Sequence, residues 1–305
     1  MYKQKFSDEE LMRRIPCSRK ELEMFKAVQR KALKDAEAYK KKLFSKQIKI
    51  IGVSGSMRRA DDCPQAESTS EFLLKAALKK AEQLGAKTEL IKLRDFEMMP
   101  CKGCYSTTNA QCHFPCTCYP YKTKYADDIT DKLYWKVLDA DGIIWATPIH
   151  SFKISSLMSI LIDRLISMDG SLSPANPNDA KNKGLNIKHT RFIELTADNN
   201  VFGSGFLKRH YGKVAGIIVS GHEAGASMAI SSLYMTLNHY GMIFPPWSNM
   251  YAMGSILDAT YKDKSRIESK EYAEEAAQVA ENVFNAVKMI KQNPKLVWKY
   301  DQSRN

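Results

Sequence analysis

No stretch of this 305-residue chain approaches the roughly 18–20 consecutive apolar residues of a membrane span, and its first ten residues lack the apolar centre of a signal peptide. Neither a membrane anchor nor a secretory route is expected, which makes the cytosol (a cytoplasmic location) the default. The glycine–lysine spacing of an ATP-binding loop is missing, and so is the Gly-x-Gly-x-x-Gly of a dinucleotide loop. The sequence offers no Ser–His–Asp arrangement and shows no internal repeat. A nucleic-acid site is not expected either, because the run Lys40-Lys41-Lys42 has no interleaved aromatics and reads as a solvated helix face.

What is present is an apolar content of 44%, enough for a sizeable core, together with a net charge of +12 and seven cysteines. The charge is uneven. Through Gln47, fourteen Lys/Arg face seven Asp/Glu, a net of +7 that leaves +5 for the rest. In this arm Leu22, Phe25, Val28, Ala32, Ala36 and Tyr39 follow a helical spacing, which predicts an amphipathic helix lying on the body or on a partner chain. Five of the cysteines fall within Cys101–Cys118, a density that in a reducing compartment usually means metal.

The segment Lys49-Ile50-Ile51-Gly52-Val53 predicts a strand buried on both faces of a parallel sheet. It runs into Ser54-Gly55-Ser56-Met57-Arg58, where hydroxyls, free N–H groups and one guanidinium suit a phosphate. Ser68-Thr69-Ser70-Glu71 then opens a helix over 68–84, placing hydroxyls at an N-terminus that favours an anion. Further along, strands are expected at Lys87–Leu93, 142–146, Val214–Ser220 and from Met242–Phe244, and helices at Asp127–Asp139, 154–168, 226–240 and 268–292. The acidic first turn at Asp127-Asp128 suits the helix dipole. Residues 94–126 form a cysteine loop, and 169–212 an insertion or lid with a short strand at Arg191–Thr196. This alternation predicts an α/β fold: a doubly wound, five-stranded parallel sheet with helices on both faces. Ligands of such sheets sit beyond the C-terminal strand ends, which gathers the loops 54–58, 147–152 and 220–225. The expected organisation is a helical arm over 1–47, a core domain over 48–292 and a tail over 293–305.

Those loops carry a family likeness. Gly55-Ser56-Met57-Arg58 followed by Ser68-Thr69-Ser70-Glu71 resembles the Gly-Ser-Pro-Arg…Ser-Asn-Thr phosphate loop of the flavodoxin-like NAD(P)H-dependent FMN reductase family, with Met57 in place of proline and a longer segment Arg59–Glu67. Thr147-Pro148-Ile149-His150-Ser151-Phe152, with Ile162-Asp163-Arg164 after it, resembles the family's Ser-Pro-Val-Tyr-Phe-Gly…Ile-Asp-Arg block, although His150 stands where an aromatic is usual. Ser220-Gly221-His222-Glu223-Ala224-Gly225 takes the place of its glycine-rich third loop. The likeness covers about 48–168 and 213–245 and is to the iron–sulfur flavoprotein branch in particular.

The resemblance implies noncovalent FMN, with Ser54, Ser56, Arg58, Ser68, Thr69 and Ser70 around its phosphate and the loops 147–152 and 220–225 against the ring. It implies NAD(P)H as electron donor, a quinone, nitro or azo compound or a flavin as small-molecule acceptor, and a homodimer or homotetramer. His150 and His222 could assist at the flavin or protonate a departing group; the alternative is local hydrogen bonding. Glu223 could meet the flavin pyrimidine edge or cap the helix starting near Gly225, and Asp163-Arg164 reads as an ion pair at a helix end. Asn199–Phe206 could cover the flavin or pack on a neighbouring subunit.

The branch also places a compact four-cysteine cluster motif in the cysteine loop, three of its members at successive intervals of three. Cys101 and Cys104 keep that spacing, but the third position is Thr107. Cys112, Cys116 and Cys118 could supply the missing ligands of a [4Fe–4S] cluster. A zinc site and ordinary reduced thiols are the other readings, with Cys17 and Cys63 isolated. Two further functions stay open: an iron–sulfur flavoprotein relaying electrons between ferredoxin and FMN, and a non-catalytic flavodoxin-like scaffold.

Overall fold

The computed structural model describes residues 5–43, 45–198, 201–221, 225–253 and 268–293. Five parallel strands form its centre: β1 (Lys49–Ser54), β2 (Lys87–Lys92), β3 (Gly142–His150), β5 (Val214–Gly221) and β6 (Asn249–Met253), in the order β2-β1-β3-β5-β6. A two-residue strand, β4 (Lys153–Ile154), folds back antiparallel on the end of β3. The expected doubly wound sheet is thus present. Strand alternation sorts its two faces. Ile50, Ile144, Ala146 and Ile218 pack against α3 (Thr69–Gln83) and α9 (Lys270–Gln292), while Ile51, Val53, Ile143, Trp145 and Ile217 pack against α5 (Tyr134–Asp139), α6 (Ser156–Arg164) and α8 (Ala226–His239).

Four local readings are corrected. The last strand begins at Asn249 rather than at Met242, where only an isolated bridge joins Ile243 to Val214. Pro245 and Pro246 intervene, and without N–H groups they cannot extend a ladder. The stretch Arg191–Thr196 is no strand but the end of α7 (Lys183–Thr196), which starts at an Asn182 side chain accepting from Leu185 N at 3.0 Å. Its β-branched residues misled, because Leu185, His189, Phe192, Ile193 and Thr196 are buried at helical spacing. Over 127–139 a π-turn (Ile129–Leu133) precedes α5, and over 154–168 α6 tightens into a 3-10 turn at Leu165–Met168.

The arm and the insertion build a third core together. Leu11 of α1 (Asp8–Arg14), Ile15 just after it, and Leu22 and Phe25 of α2 (Arg19–Leu43) pack on Ala175, Leu185, Phe192 and Ile193. The buried Gln29 donates to Thr196 Oγ1 at 3.0 Å and to the Ser204 carbonyl at 2.7 Å. Tyr39 donates to the Tyr211 carbonyl at 2.6 Å. The apolar stripe of the arm is therefore covered by its own chain, which removes it as a ground for association. Phe202 packs on Tyr39 and Tyr211, and Phe206 on the third core, so these two aromatics serve the arm. Asn199 and Asn200 lie outside the described residues. Phe25→Ala should lower stability by about 3–5 kcal/mol in denaturant unfolding, since it empties the centre of this core.

Candidate functional site

The C-terminal ends of β1, β3 and β5 converge as the strand order requires, and Ser155 joins the first two. Its Oγ donates to the Gly55 carbonyl at 2.6 Å and, as the cap of α6, accepts from Met158 N; its N–H donates to Thr147 Oγ1 at 3.1 Å. A Cβ on Gly55 would lie 2.8 Å from that same Ser155 Oγ, so the approach is open only to glycine. The third loop closes on the second in the same way. A Cβ on Gly221 would stand 3.0 Å from Ile149 Cβ, and one on Gly225 would stand 2.5 Å from Phe152 Cα. Pro148 pairs in register with Ser220.

Around β1 the structure leaves polar capacity unspent. Ser54 is buried, and its Oγ has no hydrogen-bond partner among the described residues. Ser68, the N-cap of α3, makes no capping bond and pairs instead with Ser70 Oγ at 3.0 Å. The first-turn N–H groups of α3 beside the half-buried Thr69 are thereby without a side-chain cap. Ser56 is buried and accepts from Arg58 N at 3.2 Å, while the Arg58 side chain is exposed and makes no ion pair among the described residues.

Arg94 ties the two hydroxyl clusters together. It reaches Glu71, fully buried in the first turn of α3, at 2.6 Å, and the Ser56 carbonyl at 3.4 Å; Lys92 meets Glu71 at 2.9 Å. Although burial pushes the Glu71 carboxyl up, the hydrogen bonds and charges of Arg94 and Lys92 outweigh it and hold the carboxyl below its ordinary 4.5. Nothing in the sequence pattern distinguishes Arg94. Ser155 was not singled out in the sequence, although a serine before an apolar stripe is an N-cap signal that could have found it.

The segment 147–152 is less of a loop than expected, since β3 continues to His150. The exposed His150 pairs with Lys153 in a tight hairpin whose tip, Ser151 and Phe152, has φ of 48° and 68°. Two successive left-handed residues match the twist of a two-residue hairpin and present Phe152 to solvent, 51% exposed. His222 and Glu223 lie outside the described residues.

At the other end of α6, all five cysteines of the loop line one narrow cavity of about 20 Å³, with Lys102, His113, Arg164 and Ser167 among its walls. Cys104 and Cys118 stand 3.0 Å apart, sulfur to sulfur. In this arrangement no three His, Cys, Asp or Glu side chains among the described residues converge tightly enough to hold an ion. The donor set is nevertheless soft. The Cys116 thiol is drawn down, first by the hydrogen bond from Cys118, against burial, and then by the Arg164 charge, while Cys118 is pushed up in turn. Burial pushes Cys112 up to about 11. Thr107 lies exposed in α4 (Cys104–Thr107) and does not line the cavity.

Arg164 does not pair with Asp163, as the sequence suggested. Its partner is Asp127, at 2.7 and 3.2 Å, with each side chain 2% exposed; Asp163 is exposed. The alternation of α6 turns the two neighbours to different sides of the helix. Asp127 also accepts from Thr130 N and Met99 N at 3.0 Å, so it serves the N-terminus of this helical segment and the cysteine loop together.

Residues 48–184 match the family described as NADPH-dependent FMN reductase. Among curated proteins, an iron–sulfur flavoprotein of Methanocaldococcus jannaschii is 32% identical over 117 residues, 38% of this chain and 51% of the relative. One of Methanosarcina thermophila is 31% identical over 119 residues, 39% and 53% of the two chains. The chain spans about half the length of the curated relatives it matches. Among solved structures, RosB with bound intermediate 8-demethyl-8-formylriboflavin-5'-phosphate superposes with a TM-score of 0.51 at 19% identity, covering 81% of each chain. The flavodoxin-like fold and the likeness to the iron–sulfur flavoprotein branch are both borne out.

The Glu71 cradle yields a pH-dependent expectation. Its folded-state pKa is depressed, so its stabilisation is present above about 4.5 and is lost as the pH falls through the folded value. Glu71→Gln should lower Tm at pH 7, and the gap to the wild type should close as the pH is taken below 4.5. A gap that stays constant would remove the ion pairs as its cause.

Proposed function

We propose that this protein is an FMN-dependent oxidoreductase that takes electrons from NAD(P)H and passes them to a quinone, a nitro or azo compound, or a free flavin. The observation that carries it is the anion cradle at the end of β1, in which the partnerless Ser54 Oγ, the Ser68–Ser70 pair and the uncapped start of α3 lie beyond a parallel sheet of flavodoxin-like order. When bound, FMN accepts hydride from the nicotinamide and returns electrons to the acceptor. Ser56, Arg58, Ser68, Thr69 and Ser70 would hold its phosphate as a terminal group. Backbone N–H groups of 147–152 and 220–225 would face its ring, with Thr147, Pro148, Ile149, Ser151, Phe152, Ser220, Gly221 and Gly225 shaping the space. His150, exposed at the hairpin, is free to reach an acceptor, and His222 and Glu223 belong to the third loop in this reading. A homodimer or homotetramer accords with the family. Among the described residues no helix is long and apolar enough to cross a membrane.

A second reading, in which an iron–sulfur cluster relays single electrons between ferredoxin and FMN, is favoured by the shared cavity of the five cysteines. Cys101 and Cys104, with two of Cys112, Cys116 and Cys118, would hold a [4Fe–4S] cluster, or less readily zinc. Five soft donors on one wall fit such a group in kind.

Anaerobically purified protein should show a flavin spectrum that NADH or NADPH bleaches, and a flavin-free protein that cannot be reconstituted would leave only a scaffold. Arg58→Ala should weaken FMN binding by about 1.5–3 kcal/mol in a fluorescence titration. Replacing Cys101 and Cys104 by serine should abolish bound iron while FMN stays. Wild-type protein with neither iron nor zinc, and with seven freely titratable thiols once unfolded, would end the metal reading and leave the reductase standing.

A further inference from the structure

Thiols do not account for everything in the wall of the cysteine cavity. The terminal nitrogens of Arg164 are committed to Asp127, to Thr130 Oγ1 at 2.8 Å and to the Met99 carbonyl at 2.8 Å. Its Nε–H, buried with the rest of the side chain, has no partner among the described residues, and neither has the buried Ser167 Oγ. Both residues line the cavity. A guanidinium Nε can only donate, and a buried charged donor left unmade is costly, so this geometry calls for an acceptor inside the cavity. The charge agrees. Lys102 and Arg164 stand in the lining and no carboxylate does, while Asp127 neutralises Arg164 from outside it. The lining therefore holds cations and no carboxylate beside the sulfurs, and Arg164 and Ser167 each bring one unspent donor to its wall.

Resting on the cluster reading above, we propose that Arg164 through Nε and Ser167 through Oγ donate hydrogen bonds to the sulfur atoms of a cluster held in the cysteine loop and raise its reduction potential. Hydrogen bonds to sulfur and a nearby positive charge both favour the more negative, reduced state. The helix that carries Arg164 begins at the Ser155 cap, which fixes the FMN loops, so the tuning group and the flavin site share one rigid element.

The test uses the full-length protein reconstituted anaerobically with iron and sulfide, its iron content assayed first, and a potentiometric titration with dithionite read by electron paramagnetic resonance. Arg164→Lys keeps a cation opposite Asp127 but loses the Nε donor. It should retain iron and lower the reduced-to-oxidised ratio about tenfold at fixed potential, a shift of about 59 mV to the negative for one electron. Ser167→Ala leaves the Asp127 pair intact and gives the readout even if the arginine variant does not fold; it should shift the same way by about two- to threefold. Iron-loaded variants whose midpoints do not move would overturn the inference and leave the cluster in place. A wild-type protein that takes up no iron would overturn both.

Discussion

The buried pairing of Arg164 with Asp127 is the contact through which the two candidate centres of this molecule are connected. A fully buried ion pair is weak as a source of net stability, because desolvation offsets much of the attraction, but removing either partner leaves an uncompensated charge and costs about 3–5 kcal/mol. What this pair fixes is placement. Arg164 also holds the Met99 carbonyl, its guanidinium lies 4.4 Å from the Tyr119 ring centroid, and Tyr119 donates to the Pro100 carbonyl at 2.8 Å. The entry to the cysteine loop is thereby anchored to the C-terminal end of α6. The N-terminal end of the same helix, through Ser155, anchors the loops after β1 and β3. Nine residues of helix span about 13 Å, so the geometry relating one site to the other is set by one short rod.

The insertion supports this arrangement from behind. His113 bridges to Leu172, Phe114 N donates to the Leu172 carbonyl at 3.1 Å, and Asn186 donates to Gln111 Oε1 at 3.1 Å. Arg209, buried, stacks its guanidinium 4.1 Å from the Phe114 ring centroid and donates to the Ser171 carbonyl. Residues 169–212 thus back the cysteine loop on one side and receive the arm on the other. A segment whose composition suggests a lid is here a wedge.

The sequence was most readable where local pattern and tertiary role coincide. The strand at 49–54 and the helices at 69–83 and 270–292 announce themselves by burial patterning, and the hydroxyl clusters fall where a parallel sheet opens. Readability failed where the deciding partner is remote. Arg164 sits beside an acidic neighbour at 163, yet its partner lies thirty-seven positions back. Likewise Arg94 gains its role only from Glu71, twenty-three positions away, and the arm's stripe gives no hint that residues 185–193 will cover it. Local spacing carries helix and strand; which faces meet is carried by topology.

That topology has a consequence for how the chain assembles. The arm is synthesised before the insertion, so the surface it needs is not complete until residues near 206 have emerged, and Gln29 waits for a carbonyl 175 positions later. Closing such a loop is entropically expensive and slow relative to local contacts, so α1 and α2 must pass through synthesis as an exposed amphipathic pair. The lysines and arginines of that pair, a net of +4 over 8–14 and 19–43, then act as a solubilising coat during the interval before the third core can close.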